Sequence, residues 1–138
     1  MKRIALLALA ASLSACQSTE AVRISADDIQ GIEWQLVELN GGSLVAQQTP
    51  VLLLQEGRMG GVTTCNNYFG QAQVTDSDIS LEVMGVTEKF CQSEMETEDE
   101  ILSAFAKVTA WQADQTSLTL LSEQGVELMR WQKQLPKQ

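Results

Sequence analysis

Tyr68-Phe69-Gly70-Gln71-Ala72-Gln73-Val74 and Ile79-Ser80-Leu81-Glu82-Val83 stand on either side of Thr75-Asp76-Ser77-Asp78. Two short runs separated by small polar residues read as a β-hairpin, because Asp, Ser and Thr side chains bond nearby backbone and so favour a turn. The same unit recurs in both directions along the chain. Upstream, Val51–Leu54 and Met59–Thr63 flank the turn Gln55-Glu56-Gly57-Arg58, and Ile32–Leu39 alternates as a half-buried strand closed by Asn40-Gly41-Gly42. Downstream, Ser117–Leu121 and Val126–Trp131 flank Ser122-Glu123-Gln124-Gly125, with a further strand expected around Trp111. Seven or eight short strands joined by tight turns imply antiparallel pairing in a curved sheet or cracked barrel.

One segment departs from this pattern. Thr97-Glu98-Asp99-Glu100 has capping-box spacing, and Ile101, Phe105 and Val108 follow at i, i+4 and i+7. The spacing predicts one amphipathic helix laid on the sheet. The fold class is therefore α+β, mainly antiparallel β.

Composition narrows the chemistry. The 138 residues contain no histidine, which removes His-based nucleophile pairs, His-ligated metals and an imidazole switch. Lys and Arg total 9 against 18 Asp and Glu, a net charge of −9, so a phosphate backbone is repelled and nucleic acid is not an expected partner. The size fits one domain.

The N-terminus reads as an address. Lys2 and Arg3 precede the apolar run Ile4–Leu13, which at ten residues is too short to span a bilayer needing about 20. Leu13-Ser14-Ala15-Cys16 resembles a bacterial lipobox, in which the cysteine thiol takes a diacylglycerol before cleavage. Residues 1–15 are thus expected to be a removed signal peptide, Cys16 the lipidation site, and 16–30 a polar tether ahead of a domain at 31–133. Within the tether, Ser25-Ala26-Asp27-Asp28 can cap a single helical turn ending near Gly31, which shortens the tether's reach. Gln17 is not the aspartate of an inner-membrane retention signal. The expected location is the outer membrane, facing the periplasm, with the membrane itself the first partner.

Cys65 and Cys91 remain. In an oxidising compartment a disulfide is the default for two leftover cysteines, worth roughly 3.5 kcal/mol in the chain-entropy model. Two separate buried thiols are the alternative, since Cα separation cannot be read from sequence.

Around these cysteines the chain resembles the META domain family, to which bacterial heat-shock lipoproteins of the HslJ type belong. The resemblance rests on Trp34-Gln35-Leu36 with Asn40-Gly41, on Cys65-Asn66-Asn67-Tyr68-Phe69-Gly70, on Thr87 four residues before Cys91, and on Leu118-Thr119-Leu120 with Val126-Glu127-Leu128. It spans roughly Gly31 to Trp131. It implies a compact antiparallel β domain with one helix, structural roles for Asn66, Asn67, Tyr68, Gly70 and Thr87, and no established enzymatic activity. It associates the chain with heat stress and novobiocin tolerance. Two positions depart from the family pattern: Thr64 stands where a glycine is usual, and Lys89-Phe90-Cys91 where Met-x-Cys is common. A glycine position often needs a positive φ, so the backbone at Thr64 is expected to differ.

The remaining candidates have plain structural readings. Asn66 and Asn67 bond their own turn more often than a ligand. Asp76-x-Asp78 lacks the glycine and distal glutamate of a calcium loop. Glu94, Glu96, Glu98, Asp99 and Glu100 suit a solvated helix N-terminus. Carboxylate pairs of the glycosidase kind arise by chance among 18 acids, and no Ser-x-x-Lys occurs. Trp34, Trp111 and Trp131 are expected in the core. No catalytic residue, metal ligand or cofactor is expected. The expected function is a monomeric, non-catalytic envelope module that holds a periplasmic protein or lipid in an apolar cleft. The alternative is an inhibitor of a basic cell-wall lytic enzyme such as lysozyme.

Overall fold

The computed structural model describes residues 22–135. Cys16, the leader at 1–15 and the first part of the tether lie outside the described residues. A 3-10 turn at Ala26–Ile29 leads into β1 (Glu33–Leu39), β2 (Gly42–Ser43), β3 (Val51–Gln55), β4 (Arg58–Val62), β5 (Asn67–Val74) and β6 (Ile79–Val86). The helix α1 (Met95–Phe105) then crosses to β7 (Val108–Ala113), β8 (Ser117–Ser122) and β9 (Glu127–Lys133).

All strands join one antiparallel sheet in the order β6-β5-β4-β3-β1-β9-β8-β7, with β2 folded back on β1. Two meanders, β3 to β6 and β7 to β9, thus dock on either side of β1. The sheet curls into a half-barrel whose outermost strands approach through a single bridge between Asp78 and Ala110. Period-two burial supplies the reason: β5 alternates exposed and buried along nearly its whole length, so one face must turn inward. Trp34, Leu52, Leu54, Leu118, Leu120, Met129 and Trp131 fill that interior. Phe105 of α1 closes it, its ring 5.2 Å from Tyr68 and stacked at 6.0 Å on Trp131. Trp34, Trp111 and Trp131 are all buried, as the sequence reading expects.

Three boundaries differ from expectation. The tether does not run to Gln30. Ile29 is fully buried in the core, and its carbonyl accepts the Trp34 indole N–H at 3.0 Å, so the turn that holds it belongs to the domain. Ser25 and Asp28 fasten that turn through the Ser25 N–H and hydroxyl, each donating to Asp28 Oδ2 at 2.7 Å. The helix does not start at Thr97. Its N-cap is Glu94, because the turn after Cys91 already presents the Glu94 carbonyl, which accepts from both the Glu98 N–H and the Thr64 hydroxyl. Val108 is not on the helix either; the chain leaves α1 after Phe105, and Val108 opens β7.

The turn between β7 and β8 carries a pH signature. Asp114 accepts the backbone N–H groups of Thr116 and Ser117 and both their hydroxyls. The Thr116 N–H first, then the Ser117 hydroxyl, hold its carboxyl down to about 2. A depressed carboxyl stabilises the fold above its unfolded pKa, and that contribution is lost as pH falls through the folded value. The Asp114 carboxyl carbon is therefore expected to titrate near pH 2 by NMR, well below its own midpoint in the urea-unfolded chain. Coincident midpoints would refute the assignment.

Candidate functional site

The Cys65–Asn66–Asn67 turn joins β4 to β5, and there the chain concentrates its buried polar groups: Thr63, Thr64, Asn66, Glu94 and Glu98. Asn66, only 1% exposed, is the hub. Its Oδ1 accepts the Lys89 N–H at 2.7 Å and the Thr87 hydroxyl at 2.8 Å. Its Nδ2 donates to the Lys89 carbonyl at 3.0 Å and to Glu98 Oε1 at 2.8 Å. The side-chain amide thus pairs with Lys89 as a neighbouring strand's peptide would, using every donor and acceptor it has.

Glu98 is the second member. The i, i+3, i+7 spacing of Glu98, Ile101 and Phe105 turns it toward the sheet, and it is 3% exposed. Oε2 accepts the Asn66 N–H at 2.9 Å and the Thr63 hydroxyl. The carboxylate is therefore held by donors from one turn rather than by a cation. A buried charge satisfied this way fixes the helix to the β4–β5 turn. Thr64 supplies a further clamp, its hydroxyl donating to the Glu94 carbonyl at 3.0 Å. Among the described residues only Asn40 and Glu56 are non-glycine positions with positive φ, so Thr64 sits in ordinary backbone. Thr64 thus lacks the positive φ that a glycine there would allow, and it adds a hydroxyl contact.

The structure joins Cys65 to Cys91, with Cα atoms 5.9 Å apart and a separation of 26 positions in sequence. The bridge and the Asn66–Lys89 pairing therefore fasten the same loop to the same turn. Tyr68 reaches through the core to donate its hydroxyl to the Val51 carbonyl at 2.9 Å, and burial pushes its titration far above the ordinary phenol range. Asn67 is exposed and takes part through its backbone, whose N–H donates to Thr87 Oγ1 at 3.0 Å. Asp76 and Asp78 lie apart from this cluster. Asp76 Oδ1 accepts the Ala26 N–H, and Asp78 bonds Thr75 and Ser77 within its turn.

Gly70 has a steric reason for its place in the motif. A Cβ there would lie 1.9 Å from the Glu82 carbonyl oxygen, at the point where the β5–β6 register shifts. Gly70→Ala is expected to cost about 2–3 kcal/mol by forcing the bulge open, read as a lower urea midpoint at unchanged slope. An unchanged midpoint would refute the close approach.

The sequence motif thus brings Cys65, Asn66, Tyr68, Gly70, Thr87 and Cys91 around one turn. Glu98 was missed, because its acidic neighbours suggest a solvated helix end. The stripe it shares with Ile101 and Phe105 is the signal that it points inward.

These features define a class: a curled antiparallel sheet closed by one helix, latched where a Cys-Asn-Asn turn meets a buried helix carboxylate. The chain belongs to the META domain family, whose sequence profile matches residues 27–135 and so includes the Ala26–Ile29 turn almost entirely. No curated protein sequence matches it. Solved structures share the fold. An NMR structure of a protein from Burkholderia xenovorans superposes with a TM-score of 0.62 at 18% identity, covering 79% of this chain and 86% of that one. A crystal structure of a DUF4847 family protein from Bacteroides vulgatus gives 0.61 at 13% identity, covering 77% and 94%.

Proposed function

We propose that this protein is a lipid-anchored META-domain module of the outer membrane, facing the periplasm. It supports the envelope under heat or novobiocin-type stress by holding a lipid or protein partner rather than by catalysis. The observation that carries this reading is the joining of Cys65 to Cys91 in a chain whose leader-like start ends at Cys16. Disulfides persist in oxidising compartments, so the bridge and the leader point to the same address. The non-catalytic half of the reading is supported by the saturation of the latch. The Asn66 amide and Glu98 carboxylate are committed to partners within the fold and offer no free acid, base or nucleophile.

Labelling with radioactive palmitate tests the anchor. Incorporation that disappears in Cys16→Ala, with loss from the outer-membrane fraction, is expected. Unlabelled protein in the cytosol would overturn the reading. A strain lacking the chain is expected to lose novobiocin tolerance and to recover it with the wild-type gene but not with Cys16→Ala. Micromolar inhibition of lysozyme at physiological salt would favour the inhibitor reading instead.

A further inference from the structure

Glycines inside strands weaken them, since they lose more backbone entropy and pack nothing. In β4 to β6 most have a local necessity. A Cβ on Gly61 would fall 1.9 Å from the Val51 carbonyl oxygen, and one on Gly85 2.4 Å from a Phe69 ring carbon. Gly60 has none. Its φ is not positive, and a Cβ there would meet only the Tyr68 carbonyl oxygen, at an ordinary 3.5 Å. A strand glycine without a backbone reason marks a place kept clear for something else.

What Gly60 keeps clear lies on the outer face of the sheet. The register places Leu53, Gly60, Phe69 and Gly85 in one row across β3, β4, β5 and β6. The adjacent row is Gln55, Arg58, Gln71 and Glu82. Phe69 lays its ring over Gly85, away from β4, and remains 61% exposed. Beside the half-buried Leu53 the surface sinks over Gly60 into a depression of about 370 Å³, with Phe69 outside its lining. Leu53 and Gly60 line one part of it, and Gln55, Glu56 and Arg58 another. With strands about 4.8 Å apart, β3 and β5 leave room for one ring between their side chains.

We propose that this slot binds a small free aromatic monocarboxylate, its ring over Gly60 against Leu53 and its carboxylate on the Arg58 guanidinium. Charge supports that occupant. Among the described residues the ion pairs involve Arg130 with Glu38 and Glu127, leaving the Arg58 guanidinium without a carboxylate partner. Glu56 beside the depression and Glu82 two strands along limit the ligand to a single negative charge. The proposal does not depend on where the chain is anchored.

The test is an NMR titration of the full-length chain with N-acetylphenylalanine, its amide, and N-acetylalanine. The acid is expected to shift the Arg58, Gly60 and Phe69 signals saturably with a Kd of about 1 mM, the amide about tenfold more weakly, and N-acetylalanine not at all. Gly60→Val fills the slot without backbone strain and is expected to abolish the shifts at unchanged Tm. Arg58→Gln is expected to bring the acid down to the amide's affinity, which keeps the test intact should the valine variant misfold. Equal binding of acid and amide, equal binding of the alanine derivative, or undiminished binding by a folded Gly60→Val protein overturns the proposal. So does tight binding confined to a longer peptide that ends in phenylalanine.

Discussion

Asn66→Asp is expected to destabilise the domain by about 5 kcal/mol at pH 7, enough to unfold a protein of ordinary marginal stability. The substitution exchanges one group, the amide nitrogen, and that nitrogen faces two acceptors. Nδ2 lies 2.8 Å from Glu98 Oε1 and 3.0 Å from the Lys89 carbonyl. An aspartate oxygen in its place sets two carboxylates against each other where Glu98 is 3% exposed and no cation among the described residues forms an ion pair with it. Like charges at that distance cannot both persist, so the folded variant must hold a proton between them. Proton uptake on folding raises stability as pH falls and removes it as pH rises. Urea denaturation of Asn66→Asp should therefore recover part of the loss between pH 7 and pH 4.5. Asn66→Ala serves as the control. It strands the Lys89 N–H and carbonyl and the acceptor Oε1 of Glu98, for about 3–4 kcal/mol, and it has no shared proton to recover. Parallel behaviour of the two variants across that pH range would show that the Asn66–Glu98 contact does not carry the latch.

The contrast between these residues explains what the sequence displays. Strands were legible because alternation and turn chemistry are local. Tyr68–Val74, Thr75–Asp78 and Ile79–Val83 each carry their own signal, and β5, the turn and β6 follow it closely. The two-residue β2 is hidden in the turn after Leu39, since nothing local separates a turn from the short pairing of Gly42 with Leu39. The helix register was misplaced because Thr97 has good capping chemistry, while the winning contact, Thr64 to the Glu94 carbonyl, joins residues thirty apart. In sequence, Asn66 reads as bonding its own turn. It does so through its backbone, but its side chain spans to Lys89 and Glu98, which only the folded topology brings near. Local periodicity reports which face of an element is buried. Which polar group a buried face satisfies is decided by a partner elsewhere in the chain.

Replacing Cys65 and Cys91 with alanine is expected to cost about 3.5 kcal/mol, from the loop-closure entropy of the segment the bridge encloses. Alanine rather than serine isolates that effect, since Cys65 is 2% exposed and a hydroxyl would be buried in its place. The more telling result concerns coupling. The bridge joins the turn at Cys65 to Cys91, and the Asn66 amide joins the next residue of that turn to Lys89. While the bridge is intact, Asn66→Ala leaves the Lys89 peptide and Glu98 pinned where water reaches them poorly, so their lost hydrogen bonds register in full. Without the bridge, residues 87–91 can lift away and hydrate the same groups. The cost of Asn66→Ala should then fall by about 1 kcal/mol, making the combined loss smaller than the sum of the separate ones. Urea melts of the four proteins in that cycle measure the difference. Strict additivity would mean that bridge and amide act on independent parts of the fold, contrary to the geometry that places them one residue apart.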